Sequence, residues 1–244
     1  MINYLLYIAY DGSEYHGWQI QKNALTVQQV FQQALEKLFC EKTDIKGCSR
    51  TDSGVHANMY CISFKSEKEL PCRNVVAGLN TYLPKNIAVF DCKIMPLDFH
   101  ARYSVHSKEY VYRVHNGKIR NPFLQNYAFH YKYPIDDEYL DREAKAYIGT
   151  HDFAAFCSAN SKVESTVRTV YDFRVERFGD EVRFIVSANG FLYNMVRIMV
   201  GTLLFVNEGK IKAGELSDVI ESQNRNRAGK TAPPQGLYLN KVNY

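Results

Sequence analysis

The chain has 244 residues, of which 46% are hydrophobic, and its formal net charge at neutral pH is +4. That length and apolar content suffice for a buried core, so a disordered or fibrous protein is excluded and one large domain or two small ones remain. The mildly basic balance permits an anionic partner without requiring one.

The cysteines and the N-terminal residues indicate the cellular compartment and whether a metal is expected. The six cysteines show no C-x-x-C pair and no metal-ligand spacing, so we expect small buried side chains in a reducing cytosol and no metal site. No P-loop and no G-x-G-x-x-G stretch occurs, so we expect no cofactor. The N-terminus lacks a basic region and a cleavage site, and its apolar run is too short to span a bilayer. We therefore expect a soluble cytoplasmic protein.

The first elements in chain order are a strand, a turn and a helix. Residues 2–10 are apolar and aromatic and stop at Asp11-Gly12, which is typical of a buried strand followed by a turn. The loop that follows contains Trp18, which could plug the edge of a core. From Thr26 to Phe39, apolar residues recur at helical spacing behind a capping threonine, which predicts a core helix.

The stretch from Gly47 to Ala57, G-C-S-R-T-D-S-G-V-H-A, carries the most specific chemical signal. Asp-Ser-Gly is typical of a turn, because Asp can bond its own backbone and Gly54 tolerates a positive φ. If residues 50–52 are extended, Arg50 and Asp52 project to the same side, and the guanidinium would favour the ionised carboxylate. The alternative is an ordinary turn aspartate capped by its own loop.

The middle of the chain continues as mixed strands and helices. Residues 98–103, D-F-H-A-R-Y, lie between two strand-like segments and are the expected hinge between halves. In the next strand, Lys108, Tyr110 and Tyr112 share one face, and by pattern alone such a tyrosine is more often core than catalytic. The remaining predictions here are strands at 58–65, 87–94, 104–115, 167–177 and 181–187, helices from 71 to before 84 and at 136–148, and a loop at 116–134.

Phe191 to Asn207 is apolar on nearly every face, which predicts a buried helix with one charged residue, Arg197. A buried arginine left unpaired costs about 3–5 kcal/mol, so it needs a partner. Asp52 would satisfy that need, and backbone carbonyls or another acid are the alternatives. A last helix is predicted at 213–223, and a proline-pinned turn with a closing strand at 231–239.

Five of these stretches together resemble the TruA family of tRNA pseudouridine synthases, and they are spread over essentially the whole chain. Ser53 stands where many members have Ala, and Cys48-Ser49 where many have Ala-Gly, but neither difference touches a position with a chemical role. The matching stretches are Y-D-G-S-x-Y-x-G-W-Q, R-T-D-S-G-V-H-A, K-E-Y-V-Y-R-V, F-x-x-x-M-V-R-x-M-V-G and T-A-P-P-Q-G-L-Y-L.

The resemblance implies an isomerase that converts uridine to pseudouridine in tRNA, usually at positions 38, 39 and 40. It makes Asp52 the catalytic carboxylate, acting either at C6 of uracil or at C1′. Arg197 would pair with Asp52, and Tyr110 would stack on the flipped uracil and act as general base, although an unperturbed tyrosine pKa is about 10. Arg50 would place the nucleotide or replace its stacking partner, and the first of the five stretches would help to grip the RNA.

The resemblance also implies the fold and the partners. We expect an α+β protein of two α/β halves, whose antiparallel and mixed sheets run together into one extended sheet with the catalytic cleft between the halves. The halves are placed at residues 1–100, which carry the Asp loop, and 101–244, which carry the Tyr strand and the Arg helix. We expect tRNA as the substrate, a homodimer, and no membrane association.

Two other functions are compatible with parts of the pattern. A carboxylate-dependent nucleoside or glycoside hydrolase usually needs a second carboxylate at a fixed separation, and none is evident near Asp52. A non-catalytic RNA-binding module would not require the specific aspartate, and the chain lacks an RRM-type aromatic octapeptide.

Overall fold

A computed structural model describes residues 1–159 and 163–244. These residues form two compact units, one of residues 1–106 with 238–244 and one of residues 107–237. Their elements, in chain order, are β1 (Ile2–Tyr10), α1 (Val27–Phe39), β2 (Lys46–Gly47), β3 (His56–Ser66), α2 (Cys72–Tyr82), β4 (Ile87–Met95), β5 (Ser107–His115), β6 (Phe129–His130), α3 (Asp137–Ala144), β7 (Gly149–Asp152), β8 (Val167–Phe178), β9 (Glu181–Ala188), α4 (Met195–Asn207), α5 (Leu216–Glu221) and β10 (Leu237–Asn243).

The N-terminal unit is a mixed sheet with two helices. Its strands follow the order β4-β1-β3-β10, and β2 pairs with β3. β1 pairs antiparallel with both β3 and β4, whereas β10 runs parallel to β3. α1 forms as predicted, because the Thr26 side chain accepts from the Gln29 amide and Phe31 and Leu35 bury the apolar face.

The C-terminal unit contains the strands β5-β9-β8-β7 in that order, and β6 runs parallel to β5. Glu181 at the start of β9 accepts two hydrogen bonds from Arg113 of β5, at 2.9 and 2.8 Å, and one from Arg183. Burial raises the pKa of the Glu181 carboxyl, but these guanidinium contacts outweigh it and hold that pKa below its usual range.

α4 is the buried helix of the C-terminal unit, and ten of its thirteen residues are buried. It is shorter than the predicted helix, because Asn194 adopts a left-handed φ of 62° and the helix begins only at Met195. A segment that contains Gly229 and Lys230 lies directly against it. A Cβ on Gly201 would stand 1.7 Å from the Lys230 carbonyl oxygen, so only glycine fits there.

The expected α+β class with mixed sheets is confirmed, and the observed units can be compared with the expected halves. The chain divides after residue 106, whereas the sequence analysis divided it after residue 100. The closing strand groups with the N-terminal unit, whereas the sequence assigned it to the C-terminal half. The physical reason is pairing, since Tyr238 and Leu239 of β10 lie opposite His56 and Ala57 of β3. The predicted last helix is also shorter, as α5 covers Leu216–Glu221.

Within residues 1–159 and 163–244, no helix has the length and apolar character needed to cross a membrane. The same residues contain no cluster of three or more His, Cys, Asp or Glu side chains that could hold a metal ion.

Candidate active site

Asp52 lies in the loop between β2 and β3, on a tight turn. The Val55 amide donates to the Asp52 carbonyl at 3.2 Å, and Gly54 has a φ of 75°, the left-handed conformation that its missing Cβ allows. The predicted turn is therefore present. It presents a half-buried aspartate at its first position.

A second loop, residues 11–19, holds the Asp52 turn in place. The Trp18 amide donates to the Thr51 carbonyl at 3.1 Å, and the Gly54 amide donates to the Tyr15 carbonyl at 3.2 Å. The Ser53 hydroxyl donates to the same Tyr15 oxygen at 3.3 Å. These bonds lie on both sides of Asp52, so its backbone has little freedom to move.

Two glycines let the loops approach this closely. A Cβ on Gly12 would stand 2.0 Å from the Val55 carbonyl oxygen, and a Cβ on Gly17 would stand 2.5 Å from the Thr51 carbonyl oxygen. Gly17 also has a left-handed φ of 82°. In addition, the Tyr10 hydroxyl and the Thr51 hydroxyl share a buried hydrogen bond of 2.8 Å. The stretch from Tyr10 to Gln19 therefore supports the turn that contains Asp52.

Trp18 packs inside this support. It is 3% exposed, and its ring stacks on Tyr60 with centroids 4.1 Å apart. Tyr60 in turn donates to the Ser49 carbonyl, at the start of the Asp52 loop. The tryptophan therefore plugs the edge of the core, which was one of the two interpretations of this loop.

Arg50 lies in the same loop as Asp52, outside any strand. Its side chain is exposed and lines a cavity of about 310 Å³ together with Lys46, Arg102 and other residues, and it forms no ion pair with Asp52. The expectation that Arg50 and Asp52 project to one side was conditional on an extended strand. Residues 50–52 lie in a loop without a strand assignment, so the period-two rule gives no support for that arrangement.

Tyr110 lies on β5 of the C-terminal unit, opposite Val186 of β9. It is 6% exposed, and Phe191 packs edge-on against its ring at 5.0 Å between centroids. Its neighbour on the same face, Tyr112, is fully buried and donates to the Pro233 carbonyl at 2.7 Å. Burial raises the pKa of Tyr112, which Arg197 only partly opposes, so that hydroxyl stays protonated.

Arg197 lies in the first turn of α4 and is half-buried. Its Nε donates to the Ala232 carbonyl and its Nη1 to the Asn194 side-chain oxygen, each at 2.7 Å. The Ala232 amide returns a bond of 3.0 Å to the Arg197 carbonyl. These contacts hold the guanidinium in a fixed position.

Asp52 and Arg50 thus belong to the N-terminal unit, and Tyr110 and Arg197 to the C-terminal unit. Sequence analysis did not identify three features: the closely packed Gly12 and Gly17, the Ala232 and Asn194 oxygens that bind Arg197, and the residues that line the cavity with Arg50. The two glycines could have been found, because a glycine within a turn stretch indicates a position where another part of the backbone comes close. The other two depend on long-range packing, which leaves no local signal.

The sequence profile of a family described as tRNA pseudouridine synthase matches residues 6–104 and 144–244 of this chain. The chain belongs to the tRNA pseudouridine synthase family. Asp52, Arg50 and Arg197 lie inside the matched ranges, and Tyr110 lies between them.

Curated relatives of this family align with the chain from end to end. The chain is 47% identical to the tRNA pseudouridine synthase A of Thermoanaerobacter pseudethanolicus and 44% identical to that of Acetivibrio thermocellus. It is 43% identical to the tRNA pseudouridine synthase A 2 of Clostridium perfringens. Each alignment covers 244 residues and 100% of both chains.

Proposed function

We propose that this member of the family isomerises uridine to pseudouridine in tRNA, with Asp52 as the catalytic carboxylate. The observation that carries the assignment is a half-buried aspartate on a turn that a second loop holds from both sides. Catalysis by a positioned group depends on such rigidity, because a displacement of about 1 Å can cost about 100-fold in rate.

The reaction breaks the N1–C1′ bond of uridine and joins C1′ to C5 of the same uracil. C5 loses its hydrogen as a proton and N1 gains one, so the product is an isomer and no redox step occurs. Asp52 would act as the nucleophile, adding either to C6 of uracil or to C1′. In both routes the carboxylate must be ionised, which calls for a fixed positive charge nearby.

Arg197 is the proposed source of that charge. The Ala232 and Asn194 oxygens hold its guanidinium at Nε and Nη1, so the charge needs little reorganisation to act on an anion. Tyr110 is proposed to stack on the extruded uracil and to remove the C5 proton, and Arg50 to help place the nucleotide. These roles rest on the family resemblance of the motifs.

The setting is proposed on the same grounds. We expect the enzyme to act at positions 38, 39 and 40 of the anticodon stem-loop, to work as a homodimer and to be cytoplasmic. Extruding the target base from its stack costs a few kcal/mol, and phosphate contacts would offset that cost. Binding should therefore weaken as salt is added.

The assignment is tested by incubating the purified chain with an unmodified tRNA transcript and mapping pseudouridine at every position. We expect pseudouridine in the anticodon stem-loop and no free uracil. Free uracil in solution would identify a hydrolase, and unchanged RNA that is nevertheless bound would identify a non-catalytic binding module. Either result would overturn the assignment.

The role of Arg197 is tested by Arg197→Met, with Arg174→Met as the matched control on an exposed surface. We expect the first variant to lose turnover while it keeps its affinity for tRNA, because its positive charge acts in the chemical step. The control should retain both. A fully active Arg197→Met enzyme would remove Arg197 from the mechanism.

A further inference from the structure

The cavity that Arg50 lines has the size and charge of a nucleotide site. Its volume is about 310 Å³, which is at the small end of ligand pockets. Three basic side chains and one carboxylate line it, namely Lys46, Arg50, Arg102 and Asp44. Lys46 forms an ion pair with Asp44. Among the residues that the structure describes, Arg50 and Arg102 form no ion pair, so the cavity retains positive charge.

An exposed aromatic ring stands at this cavity. Tyr103 is 76% exposed, although a ring of that size is normally at least partly covered. His100 packs against it with centroids 4.4 Å apart, and the Arg102 guanidinium lies 5.7 Å from its centroid. An exposed aromatic ring beside a cation is an arrangement that binds a stacked base and its phosphate in single-stranded nucleic acids.

The segment that carries these side chains is rigid. The Tyr103 and Ser104 amides both donate to the His100 carbonyl, at 3.1 and 2.9 Å. The Ala101 amide donates to the Ser63 hydroxyl of β3 at 3.0 Å, and the Tyr244 hydroxyl donates to the Ala101 carbonyl at 2.8 Å. The aromatic ring is therefore held out by an ordered turn rather than by a loose loop, and it costs little entropy to use.

His100 offers a hydrogen-bond donor to the same space. Its Nδ1 accepts from the Arg102 amide at 3.0 Å, so in the neutral ring the proton lies on Nε2. Burial, followed by the charge of Lys46, lowers the pKa of His100, which agrees with a neutral ring. A neutral donor can recognise a base or sugar oxygen without adding another charge.

Chain geometry ties the cavity to the reaction. Arg50 precedes Asp52 by two residues, so their Cα atoms are at most about 7 Å apart. We propose that this cavity binds one nucleotide of the tRNA strand beside the target uridine, with its base on Tyr103 and its phosphate on Arg102. The inference rests on the proposed function, since it places an RNA strand at the Asp52 loop, and it adds a specificity site outside the target pocket.

The test measures affinity, so it does not depend on turnover. An RNA with the anticodon stem-loop sequence is titrated with the parent, Tyr103→Ala and Tyr103→Phe, with Tyr82→Ala as the control at another exposed tyrosine. We expect Tyr103→Ala to weaken binding about tenfold or more, and Tyr103→Phe to bind like the parent, because stacking needs the ring and not the hydroxyl. The control should also bind like the parent.

The phosphate contact has its own signature. Arg102→Gln should reduce the slope of log affinity against log salt by about 0.7–1, the effect of one lost phosphate contact. Arg73→Gln, at an exposed helix position, changes the net charge equally and should leave the slope unchanged. Equal slopes for both variants would contradict the assigned phosphate contact.

The base is located with a series of stem-loops that each carry one abasic residue. At a single loop position we expect the parent to lose affinity and Tyr103→Ala to lose none further, because both changes remove the same stacking contact. Parent-like binding by Tyr103→Ala, or losses that add at every position, would overturn the inference. If the parent binds in this way but forms no pseudouridine, the proposed function fails while the nucleotide site stands.

Discussion

Gly17→Ala is the sharpest test of how the Asp52 turn is supported. Gly17 has a φ of 82°, and an added Cβ would stand 2.5 Å from the Thr51 carbonyl oxygen and 3.1 Å from the Asp52 carbonyl carbon. Ordinary contact begins at about 3.4 Å, so the Asp52 turn would have to retreat by about 0.9 Å. The overlap cannot be relieved by rotating a side chain, because both groups in contact belong to the backbone.

The expected cost has two parts. An alanine at that φ costs about 1–2 kcal/mol, and the overlap adds about 1–3 kcal/mol of strain. Part of the strain is relieved by moving Asp52, and a shift of about 1 Å in a catalytic group lowers the rate about 100-fold. We therefore expect Gly17→Ala to lose stability and to lose activity by about that factor.

The assay is tritium release from tRNA labelled at uridine C5, measured with thermal unfolding of the same preparations. The control is Gly179→Ala, whose φ is 60° but whose added Cβ meets no atom of the described residues within 4 Å. The control should lose about 2–4 °C of melting temperature for each kcal/mol that the left-handed alanine removes from the free energy of unfolding, and its activity should be unchanged. A Gly17→Ala enzyme with parental stability and activity would refute the support of Asp52 by the second loop.

Three further changes test the C-terminal unit. Gly201→Ala should destabilise the fold by about 3 kcal/mol or more, seen in thermal unfolding, because its Cβ meets backbone in the facing segment; an unchanged melting temperature would count against that packing. Burial raises the pKa of Glu181, but the Arg113 contact lowers it, and the net shift is downward. The stability that ionised Glu181 contributes is therefore present above the unfolded pKa of about 4.3 and is lost as the pH falls through the lower folded pKa. In urea titrations, the stability gap between parent and Glu181→Gln should therefore close in acid, and a constant gap would contradict the assignment. Asn194→Gly keeps the left-handed φ but removes the oxygen that holds Arg197, so kcat should fall about tenfold at near-parental stability; an unchanged kcat would show that this oxygen does not position Arg197.

Local patterns predicted the elements that local interactions determine. α1 was predictable because Thr26 caps it through a neighbour three residues away and its apolar residues recur at helical spacing. The Asp52 turn was predictable because Asp-Ser-Gly has few other conformations. In both cases the contacts that decide the structure lie within one turn of the chain.

Distant contacts account for what the sequence did not reveal. The start of α4 was placed too early, because Asn194 is held in its left-handed conformation by bonds to Ser158 and Arg197. The basic cavity was missed because Lys46 and Arg102 are far apart in the chain, and the segment that carries Arg102 is held against β3 by the bond from the Ala101 amide to Ser63. Residues 98–103 were interpreted as a hinge, and their exposed aromatic ring was not recognised.

The central claim, that the Asp52 carboxylate performs the chemistry, is tested most directly by single-turnover tritium release with Asp52→Asn. Asp180→Asn, at an exposed turn, serves as the control. The account predicts that Asp52→Asn binds tRNA with parental affinity and releases tritium about 10⁴-fold more slowly or not at all, while the control matches the parent. Tritium release by Asp52→Asn at the parental rate would contradict it.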